Sequence, residues 1–112
     1  MATVHKRASA KRDLVEQYVY LGEHADLETA ERFLANADAS FTDLSRNPGM
    51  GVPLSLRSPK LAGSRKWRVS GFERFLIFCL PRPTGVSILR VLQCRAGLVD
   101  PSWNSMTTRQ AD

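Results

Sequence analysis

The sequence predicts a small single-domain α+β fold: an N-terminal strand, then an antiparallel helix hairpin packed on a twisted, mainly antiparallel sheet, in the order β-α-α-β-β-β. Two observations predict it. Apolar residues recur at helical spacing in the first half of the chain, whereas β-branched and aromatic runs punctuated by Gly and Pro occupy residues 66–94. With 112 residues, 43% of them hydrophobic, the chain can bury one core.

The N-terminal region predicts one strand and one helix. Residues 2–6 include Thr and Val, which favour a short strand. From residue 10 to about residue 24 the spacing predicts helix one, because apolar residues recur at steps of four, three and four: Leu14, Tyr18, Leu21 and Ala25.

A second helix follows closely. Asp26 offers a side-chain oxygen for capping, and a sustained three-four alternation of apolar residues runs from residue 27 to residue 44. Asn47-Pro48-Gly49 ends this helix, because proline cannot continue the hydrogen-bond ladder. The short connection predicts that the two helices fold back on each other.

The second half predicts a loop and three strands. Residues 49–63 are rich in Pro, Gly and Ser, and this length of loop is unusual enough to suggest that it packs over the core edge or lines a site. Strands are expected at residues 66–70, 72–80 and 86–94. The domain is therefore expected to span residues 1–98, with a polar tail over residues 99–112.

The charge is unevenly distributed. Residues 1–50 hold six Lys/Arg against eight Asp/Glu, whereas residues 51–112 hold ten against three. This asymmetry indicates an acidic partner, either nucleic acid or an acidic protein segment, although a merely basic soluble surface is the alternative. No apolar run approaches the about 18 residues of a membrane span, and no signal peptide is recognised, so a cytoplasmic protein without membrane contact is expected.

The basic residues of the hairpin can be assigned to faces. A loop over residues 81–85 predicts that Arg74 lies opposite Leu92 and Arg90 opposite Leu76. Arg74 and Arg90 would then be diagonal neighbours on one face, with Glu73 on the other. Two adjacent guanidinium groups suggest a phosphate or carboxylate site, unless each is solvated or paired with a helix carboxylate.

Catalysis on RNA would need a base, an acid and cations beside the phosphate. Every histidine and tyrosine precedes the predicted sheet, and Glu73 is the only carboxylate between Asp43 and Asp100. A ribonuclease would therefore depend on Glu73 as base with Arg74 and Arg90 on the phosphate. No zinc spacing, phosphate-binding glycine motif or nucleophile elbow is present, so no metal, cofactor or other catalytic residue is predicted.

The order of elements resembles the ParE branch of the RelE/ParE toxins of bacterial toxin-antitoxin systems. The similarity covers about nine tenths of the chain. It is carried by residues 13–21 and 30–34, Asn47-Pro48-Gly49-Met50-Gly51, Arg68-Val69-Ser70-Gly71-Phe72-Glu73-Arg74-Phe75-Leu76-Ile77-Phe78 and Val86-Ser87-Ile88-Leu89-Arg90-Val91-Leu92.

The resemblance implies a toxin that inhibits DNA gyrase and is neutralised, in a hetero-oligomer, by a ParD-like antitoxin whose C-terminal segment docks along the helix and sheet surface. Arg68, Arg74, Arg90 and Arg95 would meet acidic residues of the target or the antitoxin. No sequence-specific DNA binding is expected from this chain alone.

The RelE branch implies the alternative function, a ribosome-dependent mRNA endoribonuclease that uses basic residues with a Tyr, His or Glu. This chain has neither Tyr nor His after its last strand, and this departure favours the gyrase inhibitor. Gln93 stands where many ParE-like chains have a nearby His, so at this position the chain departs from the ParE branch too. A third hypothesis is that toxicity has been lost and the chain only binds its partner.

Overall fold

The computed structural model describes residues 2–47, 49–54, 59–95 and 98–99, and for residues 94, 95, 98 and 99 it describes the backbone alone. The elements are β1 (Thr3–Lys6), α1 (Ala8–His24), α2 (Leu27–Arg46), β2 (Val52–Pro53), a 3₁₀ turn (Pro59–Leu61), β3 (Arg65–Val69), β4 (Phe72–Arg82), β5 (Gly85–Arg95) and β6 (Leu98–Val99). The predicted α+β fold and its order β-α-α-β-β-β are confirmed. In these ranges neither helix combines the length and apolarity that a membrane span requires.

The strands form a mixed sheet in the order β1-β5-β4-β3-β2. β1 runs parallel to β5, and the other neighbours in this order are antiparallel. β6 pairs with the end of β5, and its second residue, Val99, is the one described residue of the predicted tail. The division into a domain of residues 1–98 and a tail of residues 99–112 otherwise lies outside the described residues and stays a prediction.

The helix hairpin packs on one face of the sheet. Asp26 caps α2 by accepting a hydrogen bond from the Thr29 backbone N–H at 2.6 Å. Hydrogen bonding to the Thr29 side chain, and to a lesser extent to its backbone, lowers the pKa of the Asp26 carboxyl. The Phe33 ring of α2 lies 4.9 Å from the Phe75 ring and 5.5 Å from the Phe72 ring, centroid to centroid. Each fully buried aromatic or aliphatic side chain of this kind contributes about 1.5–3 kcal/mol by leaving water.

The opposite face of the sheet is also apolar. Successive strand residues point to opposite faces, so Phe78 and Leu92 face away from the helices while their neighbours Ile77 and Val91 belong to the core beneath the helices. The second cluster is small and consists of Leu61, Phe78, Leu80, Leu89 and Leu92. Its Leu61 comes from the predicted loop, which therefore packs over the core edge as expected.

α1 closes the edge of β5 where β1 ends. The Arg7 N–H donates to the Ile88 carbonyl at 3.1 Å, and the Ser9 hydroxyl donates to the Leu89 carbonyl at 3.2 Å. One turn later the Asp13 carboxylate accepts the Val91 N–H at 2.9 Å. The start of α1 thus satisfies backbone groups that a longer β1 would otherwise pair, so this edge has little left to offer another strand.

Arg65 holds the segment that leads into β2. Its guanidinium donates to the carbonyls of Gly49 at 3.0 Å, Met50 at 3.2 Å and Gly51 at 2.9 Å. Gly51 has a φ of 96°, and a Cβ there would lie 2.8 Å from the Lys66 carbonyl oxygen, so only glycine lets this segment lie so close to β3.

Candidate functional site: a groove at the β3 edge

The turn from β3 to β4 is followed by an irregular pairing. Val69 lies opposite Phe72, but Arg68 lies opposite Leu76, so three residues of β4 have no partner on β3. Two of the three, Glu73 and Arg74, are exposed, whereas Phe75 is buried against the helices. The bulge therefore leaves a carboxylate and a guanidinium at the surface beside the end of β3.

A cavity of about 400 Å³ lies at this edge and is called here the edge groove. Three strands supply its lining, which combines apolar, cationic and anionic side chains: Val52, Lys66, Trp67, Arg68, Glu73 and Leu76. Val52 is 53% exposed, and Leu76 is partly buried where it packs against the second apolar cluster. The groove thus has an apolar lining with charged groups around it.

The two cations of the edge groove have no anionic partner among the described residues, since no described carboxylate lies within 4.0 Å of Lys66 or Arg68. The Arg68 guanidinium lies over the Trp67 ring, 5.3 Å from its centroid, a contact worth about 0.5–1 kcal/mol at an exposed site. Their charges are therefore available to an incoming anionic group.

Arg90 is placed very differently. Its Nε donates to Asp13 Oδ2 at 2.7 Å and its Nη2 donates to Asp13 Oδ1 at 2.9 Å, a two-point pairing in which the carboxylate side chain is 5% exposed. The same carboxylate accepts the Val91 N–H. The sequence left open whether Arg90 is solvated, binds an anion or pairs with a helix carboxylate. In the structure Arg90 pairs with a helix carboxylate, that of Asp13.

The predicted pairing of Arg74 with Leu92 and of Arg90 with Leu76 is wrong. Leu92 lies opposite Leu76, and Arg90 lies opposite Phe78. The hairpin loop is shorter than predicted, since Arg82 already pairs with Gly85, and a bulge between Phe78 and Cys79 shifts the register by one more residue. Continuing this register places Arg74 about 13 Å along the strand from Arg90, so the two are not diagonal neighbours.

The remaining predicted residues divide as follows. Glu73 and Arg68 both line the edge groove, and Arg74 lies beside Glu73 outside its lining. The Arg95 backbone pairs with Leu98, and its side chain lies outside the described residues. The structure therefore brings Glu73 and Arg68 together and separates both from Arg90.

The histidines and tyrosines stay away from the edge groove. His5 lies on β1, three strands from β3, which corresponds to about 14 Å. His24 stacks on Tyr20 at 4.3 Å near the end of α1. Cys79 is buried, and burial raises the pKa of its thiol to about 11, so it is protonated and unreactive at neutral pH. In the described ranges no cluster of His, Cys, Asp and Glu could hold a metal ion.

Comparison with known proteins identifies the family. A family model described as the ParE toxin of the type II toxin-antitoxin system parDE matches residues 4–96. The chain belongs to the ParE toxin family. Among solved structures, a chain from the chromosomal ParDE toxin-antitoxin system of P. aeruginosa superposes with a TM-score of 0.67 at 17% identity, over 85% of this chain and 98% of that one. No curated protein matches this sequence at a significant level.

Two features of this ParE toxin were missed from sequence. Asp13 follows Ala10 by three residues and precedes Leu14, so it falls on the buried stripe of α1, and an acidic residue on such a stripe is a signal for a buried partner. The other is the contribution of Val52 to the edge groove, which depends on a two-residue strand that no periodicity could reveal.

Proposed function

We propose that this ParE toxin inhibits DNA gyrase without catalysing a reaction, and that a ParD-like antitoxin neutralises it in a hetero-oligomeric complex in the cytoplasm. The family membership supports a toxin of a ParDE system. Gyrase as the target and the antitoxin as the partner follow from the resemblance together with the chemistry of the edge groove.

The composition of the edge groove carries the proposal. Lys66 and Arg68 have no carboxylate partner among the described residues, and they stand beside Val52, Trp67 and Leu76. Tryptophan and arginine with apolar neighbours are typical of the centres of protein interfaces, where an apolar anchor is buried and a charge is matched across the contact. Such a surface suits a folded or extended protein segment with acidic side chains.

The arginines contribute in different ways under this proposal. Arg68 and Arg74, both exposed, would meet acidic residues of the antitoxin or of gyrase, and Arg95 is retained as a third candidate. Arg90 would instead maintain the edge of β5 through Asp13, because its guanidinium is already bound in two places.

A ribosome-dependent endoribonuclease is the second candidate. The observation that favours it is the presence of Glu73 in one groove with Lys66 and Arg68, since a carboxylate base and two cations are part of what RNA cleavage requires. The sequence-based hypothesis placed Arg90 on the phosphate, but in that role its guanidinium would have to give up both hydrogen bonds to Asp13. The groove also lacks a His or Tyr in its lining to protonate the leaving oxygen.

Two assays distinguish the candidates. Purified gyrase is incubated with the toxin and its supercoiling of plasmid DNA is measured, and translated messages are mapped by primer extension after induction. Gyrase inhibition that is weakened by Arg68→Glu and kept by Glu73→Gln, with intact messages, is the result expected. Codon-positioned cleavage that Glu73→Gln abolishes would replace the proposal with the ribonuclease. Tight antitoxin binding with neither effect would leave a toxin that has lost its toxicity.

A further inference from the structure

The turn between β3 and β4 is held by side chains of α2. Ser70 is the first residue of this turn, and both of its polar backbone groups are bound by α2. The Ser70 N–H donates to the Ser40 hydroxyl at 3.0 Å, and the Asn36 side-chain amide donates to the Ser70 carbonyl at 3.0 Å. Backbone groups in a turn lie outside the strand ladder, so these side chains take the place that water would otherwise have. The turn is therefore attached to the helix hairpin by two hydrogen bonds at one residue.

The two α2 residues of this attachment are themselves linked. The Ser40 hydroxyl donates to the Asn36 carbonyl at 2.9 Å while it accepts from Ser70, and Ser40 is only 2% exposed. Asn36 and Ser40 are four residues apart, so they lie side by side on one face of α2. A Cβ at Gly71 would lie 3.1 Å from Asn36 Nδ2, which shows how closely the turn lies against the helix. The attachment is therefore a small hydrogen-bonded unit built on a regular helix.

Strand pairing alone gives this end of β3 little support. The ladder between β3 and β4 is interrupted between Arg68 and Val69, and β2 pairs with β3 at Arg65 and Lys66 and no further. Past the interruption, the described ladder holds one pair, Val69 with Phe72. A single pair beside a bulge leaves the orientation of a turn poorly defined. The hydrogen bonds from α2 therefore supply an orientation that the sheet does not.

The orientation of the turn affects the edge groove on both of its strands. Arg68 lies two residues before Ser70 and Glu73 lies three residues after it, and both line the groove. A rotation of the turn would move these two charged groups relative to Lys66, which is paired with a neighbour on either side. The groups of a binding site have to be held within about 0.5 Å of the productive position by supporting hydrogen bonds. The attachment to α2 has the place and the chemistry for this support.

We propose that Ser40 and Asn36 of α2 are positioning residues of the edge groove. They act through Ser70, and by holding the turn they set the place of Arg68, the residue that meets the target under the proposed function. The expected effect on gyrase rests on that function, whereas the positioning itself is a property of the toxin alone. The inference gives a role in target binding to two helix residues that do not line the groove.

An NMR signature of Arg68 tests the positioning directly in the full-length toxin. The Arg68 guanidinium lies over the Trp67 ring, 5.3 Å from its centroid, so the ring current shifts the side-chain protons of Arg68 upfield. Asn36→Ala is expected to move these signals towards those of an unstructured arginine, because the turn loses one of its two hydrogen bonds to α2. Asn36 is only partly buried, so the variant should fold, and circular dichroism checks that it does.

Two buried serines of α2 provide a matched comparison. Ser40→Ala removes a hydroxyl that reaches the turn, whereas Ser45→Ala removes one whose hydrogen bond stays within α2. The first change is expected to move the Arg68 signals and to speed exchange of the Ser70 N–H at least about tenfold, and the second should leave both as they are. Equal effects from the two serines, or Arg68 signals that stay in place in both Ser40→Ala and Asn36→Ala, would overturn the inference.

A double-mutant cycle on gyrase inhibition shows whether the effect passes through Arg68. Asn36→Ala should raise the toxin concentration that half-inhibits supercoiling about three- to tenfold, which corresponds to the loss of one hydrogen bond. In the Arg68→Gln background the same change should cost less than about twofold, because the side chain that it positions is gone. An undiminished loss in that background contradicts the inference. A parent toxin that leaves gyrase active would refute the proposed function instead, and the Arg68 signals would still decide the positioning.

Discussion

The two sides of this sheet end in opposite ways. On the β5 side, β1 stops at Lys6, and the first turns of α1 then satisfy the strand edge through Arg7, Ser9 and Asp13. On the β3 side, β2 stops after two residues, and no described residue continues the pairing past Lys66. An arginine stands at each place, and its surroundings decide its role: Arg90 is bound by a buried carboxylate, and Arg68 is exposed without one.

The largest effect on stability is expected at the edge of β5, where the first turns of α1 satisfy the strand. Asp13→Asn removes the charge that faces Arg90 and replaces one acceptor oxygen by a donor, so the free energy of unfolding should fall by about 3 kcal/mol. Urea denaturation followed by circular dichroism measures it. Asp38→Asn is the matched control, because Asp38 is 71% exposed and pairs with Lys6 at 3.7 Å, a contact whose loss should cost less than about 1 kcal/mol. Equal effects in the two variants would contradict the structural role of Asp13.

The second effect concerns the start of the β1–β5 pairing. In Gly85→Ala the new Cβ would overlap the carbonyl oxygen of Thr3 and lie 2.6 Å from its backbone nitrogen, so β1 must shift. A loss of about 1–3 kcal/mol is expected, together with faster amide exchange at Thr3, whose N–H donates to the Thr84 carbonyl. Gly22→Ala in α1 meets nothing within 4 Å and should stabilise the protein by about 0.5–1 kcal/mol. An unchanged exchange rate at Thr3 would count against this close contact.

A smaller effect is expected at the segment that leads into β2. Arg65→Lys keeps the charge but cannot reach three carbonyls at once, and the loss should be about 1 kcal/mol. Because Val52 follows this segment directly and lines the edge groove, gyrase inhibition should weaken with it. Thermal unfolding and the supercoiling assay measure the two quantities, and a variant that inhibits gyrase as the parent does would show that the segment does not shape the edge groove.

The smallest change in stability is expected at Arg68, which lies on β3 in the lining of the edge groove. The same substitution is expected to change function most. Arg68→Gln removes an exposed charge and its contact with the Trp67 ring, so the free energy of unfolding should change by less than about 1 kcal/mol. Arg90→Gln, the same substitution at the closed edge, should destabilise far more. If gyrase inhibition survives Arg68→Gln in a folded protein, the edge groove is not the surface that meets the target.

Much of the fold follows from the sequence because helices and long strands have clear periods. Helix one, predicted over residues 10–24, spans Ala8–His24, and the last two predicted strands extend as Phe72–Arg82 and Gly85–Arg95. β2 and β6 were missed because two-residue strands show no period. The predicted register between β4 and β5 is wrong because the short turn and the bulge each shift the pairing by one residue. The two shifts add up to two residues, so beyond the bulge each side chain still lies on the face that was predicted for it.

The site was less predictable than the fold. Arg68 and Glu73 are only five residues apart, on the two strands joined by the β3–β4 turn, so their proximity in the edge groove could be expected. The partnership of Arg90 with Asp13 spans 77 residues and depends on how α1 crosses the end of β1, which no local pattern encodes. Treating all hairpin arginines as equivalent was therefore the main error, since their different roles come from tertiary contacts.

The pairing of β1 with β5 has a consequence for how the toxin is made. Val4 pairs with Val86, and the Asp13 carboxylate meets the Val91 N–H across 78 residues, so the N-terminal segments acquire their partners only when nearly the whole domain has been synthesised. Contacts of such long sequence separation slow folding and cannot form early during translation. A growing chain therefore lacks its completed sheet until β5 is available.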